Sequence, residues 1–298
     1  MTQPLELGSQ PDAECSYASH AQFGAGFTGI DTHTHVFKRN SGLIEGRRYT
    51  PAYDATIADY MTMLDDHGMS HGVLVQISIL GTDNSYLLEA LRKHPKRLRG
   101  IVVVDPRINV DELHAFHNVG VVGVRLNLIG VPSPDLGSAE WQAHLRLLCE
   151  LNWQVEVQAE AGRLSLVVPP LLEAGVPVVI DHFGRPDAAL GIDDPGFQYL
   201  LTLGRTRSVW VKLSGSYRNG PSDRGQQIAT AATSALLGEF GAERLIWGSD
   251  WPHTSFEEPK ATCAARQALS FWIPSEVERK TVLIDTPRRL FRFDGKIE

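Results

Sequence analysis

Gly29-Ile30-Asp31-Thr32-His33-Thr34-His35 decides how this chain is read. The two-residue period of a strand turns both histidines to one face at the end of an extended run. Alone, a His-x-His pair describes two solvated or core side chains as readily as half a site. Two distant segments repeat the construction: Val178-Val179-Ile180-Asp181-His182-Phe183-Gly184-Arg185-Pro186 and Leu245-Ile246-Trp247-Gly248-Ser249-Asp250-Trp251-Pro252-His253. In each, a short apolar run ends in a ligand-type or base-type side chain followed by Gly or Pro. Three such endings make His33, His35, His182 and Asp250 the candidate members of one site.

Outward from these segments, strand-like and helix-like runs alternate. Eight strands are expected, at 30–36, 72–79, 100–104, 123–128, 154–159, 177–181, 209–213 and 244–247. Eight is the number a closed β/α barrel requires. Val102-Val103-Val104 and Val178-Val179-Ile180 are continuous apolar runs, as in parallel strands buried on both faces. The rival, an open doubly wound sheet, would need a Gly-x-Gly-x-x-Gly or Walker-type loop, and the sequence has neither. The expected fold is an α/β TIM-like (β/α)8 barrel spanning 29–298, preceded by an N-terminal arm at 1–28.

Between strands, Asp54 is expected to cap a helix with Ile57, Tyr60, Met61 and Leu64 on one face and Gly68 at its end. Trp141, Leu145 and Leu148 share that spacing, and Ser275 with Glu278 has capping-box spacing. Three long segments that follow strands, 37–51, 129–138 and 215–225, suit either the walls of a site or plain surface loops.

Of 298 residues, 43% are hydrophobic, enough for a sizeable core. A net charge of −7 and a pI near 5.9 argue against nucleic acid or an anionic membrane as the main partner, since both need a basic face. An anionic substrate would therefore need local arginines. Cys15, Cys149 and Cys263 are too few and too dispersed for a disulfide framework or a Cys-x-x-Cys metal site, which fits a reducing cytoplasm. The first 27 residues lack the basic start and apolar core of a secretory signal, and no stretch reaches the ~20 apolar residues of a membrane span. The expectation is a soluble protein, compatible with a homo-oligomer.

In a closed barrel the first and eighth strands are neighbours, so His33, His35, His182 and Asp250 can meet at one mouth. Three imidazoles and a carboxylate make a ligand set for one divalent metal such as zinc, whose bound water has its pKa lowered towards ~7. The same groups can instead polarise a carbonyl directly while Asp250 takes a proton from water. Both routes end in hydrolysis.

The three segments together resemble the amidohydrolase superfamily, in the branch that includes 2-pyrone-4,6-dicarboxylate lactonases, 4-sulfomuconolactone hydrolases and sugar-acid lactonases. The resemblance runs from about Gly29 to Arg292 and extends to Arg48-Tyr49-Thr50-Pro51, Val75-Gln76, Gly81 with Asp83-Asn84, Gly123-Val124-Arg125 and Arg218. It implies a distorted barrel that opens a lactone ring, with a decarboxylase or lactone isomerase as alternatives and a catalytically silent barrel as the rival from another class. It also implies that Arg125, Arg185 and Arg218 line a site for an anion, with Tyr49 and Ser78 at its edge and Gln158 beside them. Arginine suits this because its planar fork binds a carboxylate or sulfonate with two hydrogen bonds. The chain departs from the pyrone-lactonase pattern at Ile79-Leu80 and Ile129-Gly130, which removes partners for a second carboxylate. Gln158 stands where that enzyme has tyrosine and where two-metal members have a histidine ligand, and Arg125 replaces a bridging ligand. At most one metal is expected.

His67, His71, His94, His114, His117 and His144 read as surface or capping residues. His253 reads as a brace near Asp250, Glu160 as an alternative base, and Tyr217, Arg47 and Trp251 as pocket walls.

Overall fold

The computed structural model describes residues 27–257 and 261–293, so all but the last two residues of the expected N-terminal arm lie outside the described residues. Eight parallel strands stand in space in the order of the chain: β1 (Ile30–Thr34), β2 (His71–Val75), β3 (Leu98–Val102), β4 (Val121–Asn127), β5 (Gln154–Gln158), β6 (Val178–Ile180), β7 (Val209–Leu213) and β8 (Leu245–Trp247). Each is followed by a helix: α1 (Ile57–Asp66), α2 (Ser85–Lys93), α3 (Val110–Asn118), α4 (Ala139–Glu150), α5 (Leu164–Glu173), α6 (Pro195–Thr202), α7 (Ser222–Phe240) and α8 (Ala261–Trp272). The last helices are α9 (Glu276–Lys280) and α10 (Thr286–Leu290). This is the expected (β/α)8 barrel, with all eight expected strands present.

Two local expectations are corrected. The second strand stops at Val75 and the chain turns at Ser78–Leu80, because Ile77, Ile79 and Leu80 pack with Phe37 and Ala55 instead of continuing the sheet. Thr56, not Asp54, caps α1: Thr56 accepts from the Asp59 backbone while the Asp59 carboxylate answers the Thr56 N–H, and Asp54 accepts from the Arg39 backbone at 2.7 Å. The Ser275 cap is present on α9, and Gly68 follows α1 with a φ of +64°.

Most of the core lies between strands and helices, and Ile30, Val73, Val75, Ile101, Val122, Val179, Ile246 and Phe291 form a second apolar cluster. His144 is fully buried against Trp141, and His71 opens β2 half-buried, stacked 4.3 Å from Phe27. Both were expected as surface or capping residues. An imidazole left neutral is apolar enough to pack this way.

β1 and β8 close the barrel largely through side chains. The buried Asp31 carboxylate accepts from Ser249 N and Ser249 Oγ, each at 2.7 Å, and Thr32 Oγ1 donates to the Trp247 carbonyl at 2.9 Å. Gly248 makes this approach possible, since a Cβ there would lie 2.6 Å from the His33 Cβ and 2.7 Å from its backbone nitrogen.

Candidate active site

Closure of the β1–β8 seam builds the site. Asp250 N donates to the His33 carbonyl at 2.8 Å and His35 N to the Trp251 carbonyl at 2.9 Å. Asp250 takes a φ of +60°, a left-handed turn uncommon outside glycine that swings its side chain off the end of β8. Gly215, also left-handed, leaves room for this carboxylate: a Cβ at 215 would lie 2.7 Å from Asp250 Oδ2 and 3.1 Å from His182 Nδ1.

The four expected residues converge. His33 packs edge-on to His35 and His182, with ring centroids 5.0 and 4.6 Å apart. Asp250 Oδ1 lies 3.8 Å from His33 Nε2 and 4.0 Å from His35 Nε2. Asp250 Oδ2 is held by Arg218 Nε at 2.5 Å and by the Tyr217 hydroxyl at 2.6 Å, whereas Oδ1 is buried without a hydrogen-bond partner. Burial alone would raise this carboxyl, but Arg218, His182 and His33 outweigh it and hold Asp250 well below the usual carboxylate range.

His35 has its tautomer set by the Val75 carbonyl, 2.7 Å from Nδ1: a carbonyl only accepts, so Nδ1 carries the proton and Nε2 faces Asp250 as a lone pair. His182 Nδ1 lies 2.9 Å from Ser214 Oγ. Burial lowers both, His35 to about 4 and His182 to about 3, so both rings are neutral near pH 7.

Behind the histidines lies a layer that the motif reading missed. Lys212 from β7 meets Glu156 from β5 at 2.5 Å, Asp181 at the end of β6 at 3.3 Å and His33 Nδ1 at 3.1 Å, all fully buried. Asp181 also accepts from Arg125 Nε and Nη2, at 3.2 and 3.1 Å. Burial opposes its charge, yet Lys212, His33 and Arg125 hold it well below the usual range. Alternation held the signal: in Gln154-Val155-Glu156-Val157-Gln158 and Val209-Trp210-Val211-Lys212-Leu213 the charges occupy inward positions of parallel strands, where a barrel ordinarily carries Val, Ile or Leu.

A cleft with a cavity volume of about 110 Å³ opens over these groups. His35, His182, Arg125, Arg185, Arg218, Tyr49, Ser78 and Gln158 line it, together with Arg48, Asn127 and Thr254. His33 and Asp250 lie behind this lining. The segment at 37–51 contributes Arg48 and Tyr49, and the one at 215–225 contributes Arg218. The segment at 129–138 does not line the cleft; Arg163 ties it down through the Val131 carbonyl and Ser133 Oγ, at 2.9 and 2.7 Å.

Other expectations resolve into bracing. Arg47 holds its own loop through Thr50 and the Ile44 carbonyl, and Trp251 packs on Tyr60. Tyr217 is drawn beneath the cleft by Asp250 and His253, and His253 is fixed by Thr262 at 2.7 Å. Glu160 is half-exposed and pairs with Arg163 at 3.5 Å.

His33, His182 and Asp250 each place a ligand atom within 4.8 Å of the others, close enough to hold a metal ion, and two of those residues carry orphaned buried atoms, His33 Nε2 and Asp250 Oδ1. A second trio, His33, Glu156 and Asp181, has the same spacing but surrounds the Lys212 ammonium.

Known proteins are similar to this chain in sequence and fold. The amidohydrolase profile matches residues 30–293. The chain is 33% identical to 4-sulfomuconolactone hydrolase of Hydrogenophaga intermedia over 88% of each chain. It is 29% identical to 2-pyrone-4,6-dicarboxylate hydrolase of Comamonas testosteroni over 92% of this chain and 93% of that one. The crystal structure of a probable 2-pyrone-4,6-dicarboxylic acid hydrolase from Acinetobacter baumannii, with citric acid bound, superposes with a TM-score of 0.86 at 42% identity, covering 89% of this chain and 99% of the other. With its barrel, its histidine–aspartate mouth and this match across nearly all the described residues, the chain belongs to the amidohydrolase family.

Proposed function

We propose that this protein hydrolyses a small anionic lactone, of the sulfomuconolactone, pyrone-dicarboxylate or sugar-acid type, in the catabolism of aromatic compounds or sugar acids. The observation that carries the reading is the ionised, fully buried Asp250, one oxygen anchored and the other unpartnered, behind an arginine-lined cleft. Asp250 Oδ1 accepts a proton from water as the water oxygen attacks the ring carbonyl carbon. The ring C–O bond then breaks and the departing oxygen takes up that proton, so one water is consumed and a hydroxy acid or its keto form is released. His182 and His35 orient the reacting groups, and the cationic wall stabilises the oxyanion more than the planar ester.

A divalent ion, zinc by the character of the ligands, would be held by His33, His182 and Asp250 and would polarise the ring carbonyl. His33 ligates through Nε2 only when its proton sits on Nδ1.

The arginines divide their tasks. Arg125 directs its fork to Asp181 and Gln158, and Arg218 to Asp250. Arg48 and Arg185 line the cleft with no ion pair among the described residues. Burial lowers both, and neighbouring guanidiniums lower them further: Arg125 and Arg218 act on Arg48, while Arg218 and Arg48 act on Arg185. An acidic substituent is attracted most where guanidinium charge is least compensated, so we assign it to Arg48 and Arg185, with Tyr49, Ser78 and Gln158 shaping the rest of the cleft.

Among the described residues no helix is long and apolar enough to cross a membrane, and the scattered cysteines support a cytoplasmic setting, as a monomer or homo-oligomer.

Carboxylate- and sulfonate-bearing lactones assayed in ¹⁸O-water test the reading. Hydrolysis places ¹⁸O in the new carboxylate with one acid released per turnover. Ring migration without label would mean an isomerase, and release of carbon dioxide a decarboxylase.

A further inference from the structure

The scheme above gives Lys212 no task, yet this lysine has no solvent exposure and touches a site histidine. Its ammonium donates to Glu156 Oε2 at 2.5 Å and to His33 Nδ1 at 3.1 Å, and it lies 3.3 Å from Asp181 Oδ1. A buried ammonium is tolerated when its protons find acceptors and its charge finds counter-ions: Glu156 Oε2 and His33 Nδ1 accept, and Asp181 adds a negative charge alongside. Because an ammonium has no lone pair, its contact with the ring has one sense: Nδ1 accepts. A neutral imidazole that accepts at Nδ1 carries its proton on Nε2. Nε2 of His33 is buried without a partner and faces the equally unpartnered Asp250 Oδ1, 3.8 Å away.

Asp181 competes for the same ring nitrogen. A carboxylate accepting from Nδ1–H would leave Nε2 bare, which is the form that ligates a metal. Geometry favours the lysine. Asp181 Oδ1 is farther from Nδ1, at 3.4 Å, and makes no hydrogen bond, while Oδ2 is held by the Arg125 fork.

We infer that Lys212 is a positioning residue for lactone opening: it fixes His33 as the Nε2–H tautomer, so that the ring presents a donor instead of a lone pair to the oxygen that reacts beside Asp250. Lys212 transfers no proton itself. Its ammonium also stands among His33, Glu156 and Asp181, so the barrel carries its own cation where those three could have held an ion. The kinetic part of this inference rests on the lactone-hydrolase reading; the tautomer does not.

The test compares wild type, Lys212→Met and Lys212→Met/Glu156→Gln. The double variant removes the carboxylate that the single variant strands, and serves where the single variant does not fold. Histidine-selective ¹⁵N NMR, with His33 assigned by its loss in His33→Asn, reads the proton directly. In wild type His33 should be protonated at Nε2 and bare at Nδ1. In the double variant, with Asp181 as its remaining neighbour, the proton should move to Nδ1. Cobalt(II) titration, followed by ligand-field absorption, should then show at least about tenfold tighter binding than in wild type, as a bare Nε2 becomes available. With a working lactone, kcat should fall about 10²-fold or more while KM stays within about threefold. A wild-type His33 protonated at Nδ1, or a double variant that keeps Nε2–H, overturns the inference whatever the substrate proves to be.

Discussion

Arg218 Nε donates to Asp250 Oδ2 at 2.5 Å, so one arginine both walls the cleft and anchors the carboxylate behind it. The guanidinium is itself raised: burial would lower it, but the Asp250 charge prevails. Anchoring Oδ2 leaves Oδ1 as the oxygen able to take a proton.

Asp250→Asn keeps the size of the side chain and removes the acceptor. Turnover should drop ~10²-fold or more with the circular dichroism spectrum unchanged, the scale expected for loss of a positioned base. Near-wild-type turnover would move the base elsewhere, with Glu160 the next carboxylate to test.

The arginines should separate kinetically. Arg48→Met or Arg185→Met should raise KM by ~10- to 100-fold with a smaller change in kcat, as for loss of a charge-assisted contact worth about 1.5–3 kcal/mol. Arg218→Met should instead act mainly on kcat, because it frees Asp250. Equal effects of all three on KM would show that Arg218 binds substrate directly and that the Asp250 anchor is incidental.

Zinc-loaded, desalted protein should carry no more than one ion per chain by mass spectrometry. Lys212 already fills the second trio, and Arg125 and Gln158 offer no alternative set. Two ions per chain, or two anomalous peaks ~3.5–4 Å apart, would contradict this.

Gly248→Ala should lower stability by about 1–3 kcal/mol, because a Cβ has no space beside His33. Since the same contact sets the spacing of Asp250 from His33, kcat should fall with it. A variant with wild-type melting temperature and activity would mean that the β1–β8 seam yields easily.

Acid should weaken the fold through two buried imidazoles. Burial lowers His144 and His71 from 6.5 to about 4, so in the folded state both resist protonation. Unfolding releases them to bind protons below about pH 6.5. Their contribution is thus complete above pH 6.5 and is lost as pH falls towards 4. His144→Leu should flatten that decline in melting temperature; an unchanged slope would assign the acid sensitivity to other groups.

Period and punctuation made the fold legible. Eight apolar runs separated by helical runs admit few topologies, and strand ends marked by His33, His182 and Asp250 must fall on one rim once the barrel closes. Met61 and Leu64, four residues after Ile57 and Tyr60 respectively, announced α1, but its cap did not follow, because Asp54 and Thr56 compete locally and only the backbone path selects Thr56.

By itself the sequence determined the barrel, the four residues at its mouth and the family to which they belong, since these depend on periodicity and on motifs local to a few residues. Tertiary structure decided how the charges pair. Arg125 could be assigned to an anion from its place on a strand, yet Asp181, 56 residues away, takes its fork. Lys212 and His33 are separated by 179 residues, and nothing in either neighbourhood announces their contact. Which buried charge neutralises which depends on distances of a few ångströms across the barrel interior, and those distances exist only after β1 has met β8.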